Sequence, residues 1–260
     1  MKDLERIRSK PAFIIDMDGV IYHGNQLLKG AVEFVEYLER EGKAFLFLTN
    51  SSERSPLELS QKLDRLGIKA SPEHFYTSAL ATASFLASQR PGGSAFVIGE
   101  PGLIQALYDA GYTMNNVNPD YVVVGESRGY NLESLEKAVH HVLGGAKLIG
   151  ANPDISGPTE KGIVPACGSL VAPIELATGK KAYFVGKPNP LIMRHGLRVL
   201  NSRREDTVII GDRMDTDIIA GVESEIETVL VLSGVTHLED VAAFPYQPHH
   251  ILEGVFEIPV

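Results

Sequence analysis

Two carboxylates stand two residues apart, directly after an apolar run near the start of the chain. Asp16 and Asp18 follow residues 11–15, and Gly19 comes next. The apolar run predicts a buried strand of a parallel sheet, and the glycine allows a tight exit that leaves both acids at the strand's carboxyl end. At a period of two residues both carboxylates would lean to one face, where they repel unless they share a cation or a proton. We interpret the pair as an active-site signature that favours a divalent metal ion; the alternative is a strand end where aspartate forms a turn.

Three more apolar runs are each followed by polar side chains. These are Thr49 and Asn50 after residues 44–48, Lys187 after residues 182–185, and Asp212 with Asp217 after residues 207–210. Taken singly, they could be a helix cap, a solvated lysine and an ordinary turn. Open α/β sheets bind ligands at the carboxyl ends of their strands. Acids, a small polar pair and one cation together suit a phosphoryl group held beside Mg²⁺, a hard cation that prefers oxygen ligands.

The alternation of apolar and amphipathic segments predicts a doubly wound α/β fold with a parallel sheet. Further strands are predicted at residues 74–77, 94–99, 121–125, 147–150, 228–232 and 250–252. Helices are predicted at residues 30–41, 56–66, 78–88, 103–110, 132–143, 170–178 and 191–200, with another ending near residue 221. Pro188 is placed to open the helix over 191–200. Residues 157–168 are rich in turn formers.

The spacing of the predicted strands and helices changes in the middle of the chain. Residues 80–180 are interpreted as a separate α/β module inserted into the first, which resumes with the strand over 182–185. The first module would then comprise residues 1–79 and 181–260. No proline- or serine-rich linker marks the edges of the insert.

Composition excludes several classes of function. The chain has 260 residues, 44% hydrophobic content and a formal net charge of -9, which suits a globular protein and argues against a nucleic-acid polymer as partner. The charged amino terminus has no apolar signal region, and no run is long enough for a membrane span, so we expect a cytoplasmic protein without a membrane partner. The single cysteine, Cys167, excludes an intrachain disulfide and a cysteine-based zinc cluster. A homo-oligomer is left open.

The strand-end residues also match a known set of motifs in order. They are Asp16-Met17-Asp18-Gly19-Val20, Thr49-Asn50, Lys187 within Val185-Gly186-Lys187-Pro188, and Gly211-Asp212 followed by Asp217. With these motifs the chain resembles the haloacid dehalogenase (HAD) superfamily of phosphohydrolases, and within it the NagD-type branch with a large α/β cap. Further matches are Asn118-Pro119-Asp120, Asn152-Pro153-Asp154, Pro165-Ala166-Cys167-Gly168 and Val231-Leu232-Ser233-Gly234-Val235, so the likeness spans essentially the whole chain. Val20 stands where many members have threonine, which touches no proposed catalytic group.

The resemblance implies a Rossmann-like HAD core with an inserted cap, the core being residues 1–79 and 181–260 and the cap residues 80–180. It implies that Asp16 is a nucleophile that forms an aspartyl-phosphate, and that Asp18 protonates the leaving group and then activates water. A carboxylate beside Mg²⁺ stays ionised, whereas its neighbour can carry a proton.

The remaining motif residues receive roles by the same resemblance. Mg²⁺ would be held by Asp16, Asp212 and the carbonyl oxygen of Asp18. Thr49 and Asn50 would donate to phosphoryl oxygens, Lys187 would neutralise them, and Asp217 would orient Lys187 or a metal-bound water.

The cap of such enzymes closes over the site and contacts the leaving group, so Asn152, Pro153 and Asp154 are candidates for substrate specificity; a surface turn is the alternative. Relatives act on small phosphomonoesters, with nucleoside monophosphates favoured and sugar phosphates or phosphoglycolate as other classes. A 5'-nucleotidase-like phosphatase is therefore expected. Two rivals remain: a phosphotransferase or mutase on the same core, and a receiver-like protein with a phosphorylated aspartate, which needs only about half this length.

Overall fold

The structure, a computed structural model, describes residues 3–159 and 162–259. Its strands are β1 (Ala12–Ile15), β2 (Tyr22–His23), β3 (Gln26–Leu27), β4 (Ala44–Thr49), β5 (Phe75–Thr77), β6 (Ser94–Ile98), β7 (Thr113–Met114), β8 (Tyr121–Val124), β9 (Lys147–Gly150), β10 (Ser156–Thr159), β11 (Gly162–Pro165), β12 (Tyr183–Phe184), β13 (Thr207–Gly211), β14 (Glu227–Val231) and β15 (His250–Leu252). Its α-helices are α1 (Leu4–Ser9), α2 (Ala31–Arg40), α3 (Pro56–Leu66), α4 (Ser78–Gln89), α5 (Pro101–Asp109), α6 (Leu132–Leu143), α7 (Cys167–Thr178), α8 (Pro190–Val199) and α9 (Ile219–Glu223). The predicted α/β fold class, a doubly wound core with an inserted α/β domain, is confirmed.

The described chain divides into two compact units. The first comprises residues 3–49, 59–76 and 187–259, and the second comprises residues 50–58 and 77–186. The second unit thus contains all described residues of the predicted insert, 80–180. It also contains residues 50–58, 77–79 and 181–186, which sequence reasoning left with the core. Among the described residues, no helix has the length and apolar character needed to cross a membrane.

The first unit is built on a six-stranded sheet in the order β15-β14-β13-β1-β4-β5. The pairs of β1 with β13 and β4 are parallel, and Ile15 lies opposite both Ile210 and Phe47. All four residues of β1 are buried, because a central parallel strand is covered on both faces. This register brings the carboxyl ends of β13, β1 and β4 to the same edge of the sheet.

The second unit has its own five-stranded parallel sheet, in the order β12-β9-β8-β6-β7. Val122, Val124 and Leu148 belong to its core, together with Val171 and Ile174 of α7. The strands β8 and β9 pair in register, with Val124 opposite Gly150. Their carboxyl ends therefore lie side by side and lead into residues 125–126 and 151–154.

Two sequence expectations about local structure are wrong. The strand over 182–185 does not resume the first sheet, because Tyr183 pairs with Ile149 at the edge of the second sheet. Pro188 does not open α8: Asn189 caps the helix through its side chain, and Pro190 occupies the first turn. The hairpin of β10 and β11 within the turn-rich stretch was not predicted, nor were β2, β3 and β7, whose two residues are too few to set a visible alternation.

A buried carboxylate fastens the amino-terminal helix α1 to the sheet of the first unit. Glu227, the first residue of β14, lies 2.6 Å from Arg6 Nε, 2.8 Å from Lys10 Nζ and 2.6 Å from His250 Nε2. Burial alone would raise the pKa of Glu227, but hydrogen bonds from Lys10, His250 and Arg6 outweigh it and lower the pKa to about 2. The ionised form is therefore favoured by folding.

Replacing Glu227 by glutamine should lower the free energy of unfolding by about 2 kcal/mol at pH 7, because the charged acceptor of these contacts is lost. The folded pKa is depressed, so this stabilisation is present above the ordinary value of 4.5 and fades as the pH falls towards 2. Urea unfolding at pH 7 and at pH 3 measures the difference between wild type and Glu227→Gln. The exposed Glu36→Gln on α2 is the control, and a difference that does not shrink at pH 3 contradicts the assignment.

Candidate active site

Three carboxylates converge at the carboxyl edge of the central strands. Asp16 directly follows β1, Asp212 directly follows β13, and Asp217 lies in the π-helical turn Met214–Ile218. Each offers an oxygen within 4.8 Å of the others, which makes them a candidate metal-binding group. The fold of the first unit thus brings together three residues that sequence analysis placed after two separate strands. This grouping follows from the register of β1 and β13, since Ile15 lies opposite Ile210.

Lys187 reaches into the same cluster and is almost fully buried. Its ammonium donates to Asp16 Oδ1 at 2.6 Å, to Asp217 Oδ1 at 2.6 Å and to the carbonyl oxygen of Leu48 at 3.0 Å. Burial alone would lower the pKa of Lys187, but the charges of Asp16 and Asp217 outweigh it and raise that pKa. The lysine is thus a fixed cation, and the alternative of a solvated lysine is excluded.

Negative charge remains in excess around this ammonium. Burial, followed by the charge of Asp217, raises the pKa of Asp16 to about 7, although Lys187 pulls it down. Burial, then Asp217 and Asp16, raises the pKa of Asp212 well above its ordinary value. Ionising all three acids requires more positive charge than Lys187 supplies. Because the donors are all carboxylate oxygens, a hard divalent cation such as Mg²⁺ fits this cluster.

Two glycines allow Asp212 to take its place. Its Oδ2 accepts a hydrogen bond from the Val235 N–H at 2.7 Å. A Cβ at Gly19 would stand 2.4 Å from this oxygen, and a Cβ at Gly234 would stand 2.0 Å from it. Gly19 also has a φ of +82°, a conformation that other residues rarely adopt. The glycine read from sequence as a tight exit therefore has a second role as space for a carboxylate.

Asp18 is separate from the carboxylate cluster. Its side chain is 46% exposed, and its Oδ1 lies 3.3 Å from His23 Nδ1. Burial raises the pKa of Asp18, whereas His23 and Lys62 oppose that shift. β1 ends at Ile15, as the sequence predicts, so neither Asp16 nor Asp18 lies within the strand. Among the described residues, the acids that group with Asp16 are Asp212 and Asp217. A raised pKa favours a carboxyl group that can carry a proton.

Thr49 and Asn50 adjoin in sequence but belong to different units. Thr49 is the buried last residue of β4 in the first unit. Asn50 begins a segment of the second unit, and its side-chain amide donates to Asp154 Oδ2 at 3.1 Å. That both residues donate hydrogen bonds to a phosphoryl group therefore stays a prediction.

The predicted cap residues Asn152, Pro153 and Asp154 follow β9 in the second unit. Asn152 is fully buried, and its amide nitrogen donates to the carbonyl oxygen of Asn50 and to Glu126. Its Oδ1 accepts the N–H of Asp154. Their role in choosing a leaving group stays a prediction.

Sequence reasoning missed three polar residues near the motif residues. His23 lies beside Asp18, and Lys62 places its ammonium 3.4 Å from the ring centroid of Tyr22. Glu126 contacts Asn152 in the second unit. The apolar run before Glu126, which ends as β8, was a usable signal, because its form repeats that of the strands that precede the motifs. Lys62 lies within the amphipathic pattern of α3, and that pattern gave no signal of a role near Asp18.

Comparisons with known proteins agree with this geometry. A family model described as haloacid dehalogenase-like hydrolase matches residues 13–113, and a HAD-hydrolase-like model matches residues 184–258. The chain is 44% identical to ribonucleotide monophosphatase NagD of Escherichia coli K12, over 95% of this chain and 97% of that protein. The chain belongs to the NagD-type haloacid dehalogenase-like hydrolases. As a member of that family it is a phosphatase, a hydrolase of phosphoric monoesters.

The NagD-type chain is also similar to two solved structures and to a further relative. The structure of NagD from E. coli K-12 matches with a TM-score of 0.91 at 43% identity and covers 96% of this chain and 98% of that chain. Glycerol phosphate phosphatase from Mycobacterium tuberculosis, solved in complex with magnesium, matches with a TM-score of 0.92 at 31% identity, over 100% of this chain and 78% of that one. Dihydroxyacetone phosphatase of Corynebacterium glutamicum strain R is 42% identical over 95% of this chain and 90% of that protein.

Magnesium should stabilise this NagD-type chain against heat, because a cation that binds only the folded carboxylate cluster shifts the unfolding equilibrium. A hundredfold excess over Kd would add about 2.7 kcal/mol. Thermal unfolding with Mg²⁺ and with excess EDTA measures the effect. Asp212→Asn should abolish the shift, whereas the exposed Asp64→Asn on α3 should keep it; equal shifts in both variants would place the ion elsewhere.

Proposed function

We propose that the chain is a Mg²⁺-dependent phosphatase that hydrolyses small phosphomonoesters through an aspartyl-phosphate on Asp16. The observation that carries this proposal is the buried Lys187 ammonium, 2.6 Å from both Asp16 and Asp217, within the carboxylate cluster that includes Asp212. Such a cluster combines a nucleophile, a fixed cation and an oxygen-rich cation site. Those are the parts that phosphoryl transfer requires.

In the proposed first step an oxygen of Asp16 attacks phosphorus, and the bond between phosphorus and the oxygen of the leaving alkoxide breaks. Asp18 gives its proton to the departing alkoxide, so an alcohol leaves. In the second step Asp18 takes a proton from water as that water attacks phosphorus, and the bond from phosphorus to Asp16 breaks. Inorganic phosphate and the original carboxylate are released. The partly exposed Asp18, outside the cluster, suits a group that exchanges protons in both steps.

The other motif residues would bind and balance charge. Asp16, Asp212 and the carbonyl oxygen of Asp18 would hold Mg²⁺, which when bound neutralises charge on phosphoryl oxygens. Thr49 and Asn50 would donate hydrogen bonds to those oxygens. The role proposed for Asp217 is to orient Lys187, and the 2.6 Å contact between them supports it.

Nucleoside monophosphates are the substrate class we propose first. The support is the likeness to ribonucleotide monophosphatase NagD, whereas the relatives named dihydroxyacetone phosphatase and glycerol phosphate phosphatase favour smaller esters. The test is to measure Mg²⁺-dependent phosphate release from a panel of nucleoside monophosphates, sugar phosphates and phosphoglycolate. We expect the highest kcat/KM among the nucleoside monophosphates. The largest kcat/KM outside the nucleotides would overturn it, and phosphate found on a second substrate molecule would indicate a phosphotransferase.

Asp16→Asn should abolish turnover, because the amide is a poor nucleophile and a poor cation ligand. A loss of several powers of ten is expected, at about 1.4 kcal/mol for each tenfold. The variant should remain folded, since Asn can still accept the hydrogen bond of Lys187. Steady-state phosphate release and thermal unfolding measure the two properties. Retention of more than about a tenth of the wild-type rate in a folded variant rules out the covalent role.

Asp18→Asn should slow phosphorylation of the enzyme by alkyl phosphates more than by aryl phosphates, because an aryl leaving group needs little protonation. Single-turnover measurements with one ester of each kind isolate that step from dephosphorylation. The exposed Asp64→Asn serves as the matched control. Equal losses with both esters would argue against the acid role.

A further inference from the structure

A partly buried hydrogen-bond network in the second unit holds the segment that begins at Asn50. Its centre is Glu126, which directly follows Gly125 at the end of β8. The carboxylate of Glu126 accepts the Ser52 N–H at 3.0 Å and also accepts the Ser52 hydroxyl. Its other oxygen accepts an amide hydrogen of Asn152 at 2.6 Å. One carboxylate thus joins the Asn50 segment to the loop that follows β9.

The main chain of Asn50 is held from two further directions. Its carbonyl oxygen accepts from Asn152 Nδ2 at 2.7 Å and from Ser78 Oγ at 2.5 Å. The C=O and the following N–H of a planar peptide point in opposite directions, so these contacts also fix the direction of the Ser51 N–H. The Asn50 side chain is held as well, through its bond to Asp154.

Glycines let this segment pack closely against its unit. A Cβ at Gly125 would stand 2.4 Å from Ser52 Oγ, and a Cβ at Gly186 would stand 2.7 Å from Asn50 Oδ1. The Gly102 N–H donates to the carbonyl oxygen of Glu53 at 3.1 Å. Little room therefore exists for the segment to shift once the Glu126 contacts are made.

We infer that Glu126 and Asn152 are positioning residues that orient Asn50 for the phosphoryl group of every substrate. The inference rests on the proposed phosphate-binding role of Asn50. It gives Asn152 a task other than leaving-group selection, because both of its amide hydrogens are already donated to Asn50 and Glu126. A group that orients a phosphate donor affects all phosphomonoesters alike, since they share the phosphoryl group.

Glu126→Gln is the sharpest variant because it nearly preserves shape. Ser52 and Asn152 both present donors to Glu126, and a glutamine amide offers one oxygen where two are needed, so one donor loses its acceptor. We expect kcat/KM to fall about tenfold for an aryl and an alkyl phosphate alike, because a misplaced binding group is felt in the transition state. Competitive inhibition by inorganic phosphate should weaken by a similar factor.

The matched control is Glu133→Gln, an exposed glutamate on α6 paired with Lys137 in the same unit. It should leave both kcat/KM values and phosphate inhibition at wild-type levels. Ser52→Ala is the second variant. It removes the hydroxyl that donates to the Glu126 carboxylate and accepts the Glu126 N–H, and it keeps the contact of the Ser52 N–H. It should cause a smaller loss of kcat/KM that is equal for the two esters, and it tests the inference even where Glu126→Gln does not fold. Thermal unfolding shows which variants are folded.

Three outcomes overturn the inference. One is a folded Glu126→Gln enzyme with unchanged phosphate inhibition and unchanged kcat/KM. Another is a loss confined to one leaving group, which would return Asn152 and its neighbours to substrate selection. The third is a wild-type chain that releases no phosphate from any ester, which overturns the proposed function as well and is thereby distinguished from the first two.

Discussion

The burial of one ammonium among carboxylates is the constraint on which the rest of the first unit depends. An unpaired buried lysine would cost several kcal/mol or lose its proton, so Lys187 requires acids within contact distance. Asp16 and Asp217 supply them, and the carbonyl oxygen of Leu48 takes a third donor position. The same acids repel each other and Asp212, so the lysine and the carboxylates stabilise one another only in this arrangement. Burying such a cluster contributes little to stability, and buried acids with raised pKa values are typical of functional sites.

Strand register is what brings these groups together. β1 pairs in parallel with β4 on one side and β13 on the other, and residues at equal height in the three strands end at the same edge. Side chains separated by most of the chain length therefore meet without long loops. The second unit repeats this principle with β8 and β9, whose ends deliver Glu126 and Asn152 to the Asn50 segment.

The sequence carried most of this information where buried parallel strands were concerned. Runs such as 207–210 are continuous and apolar, so their ends could be placed within one residue, and the acids that follow could be expected to meet. The strand Tyr183–Phe184 was assigned to the wrong sheet because chain order does not reveal which edge a two-residue strand joins. Residues 50–58 were likewise left with the core, since the hydrogen bonds that hold them come from residues far along the chain. Asp18 was expected on the same face as Asp16 because a period of two residues was extended beyond residue 15, the predicted end of the strand, where β1 also ends.

The two glycines around Asp212 have a consequence for how this chain tolerates change. Replacing glycine by alanine is a common way to raise stability, because it restricts the unfolded chain. Here Gly19 and Gly234, remote in sequence, border the same carboxylate oxygen, so a methyl group at either would press on Asp212. Their substitutions should not be independent, because after one methyl group has displaced the carboxylate the second meets less resistance. Gly19 and Gly234 lie in different loops, but substitutions at both act on the same carboxylate. Experiments that stabilise or diversify the chain should therefore vary the two positions together.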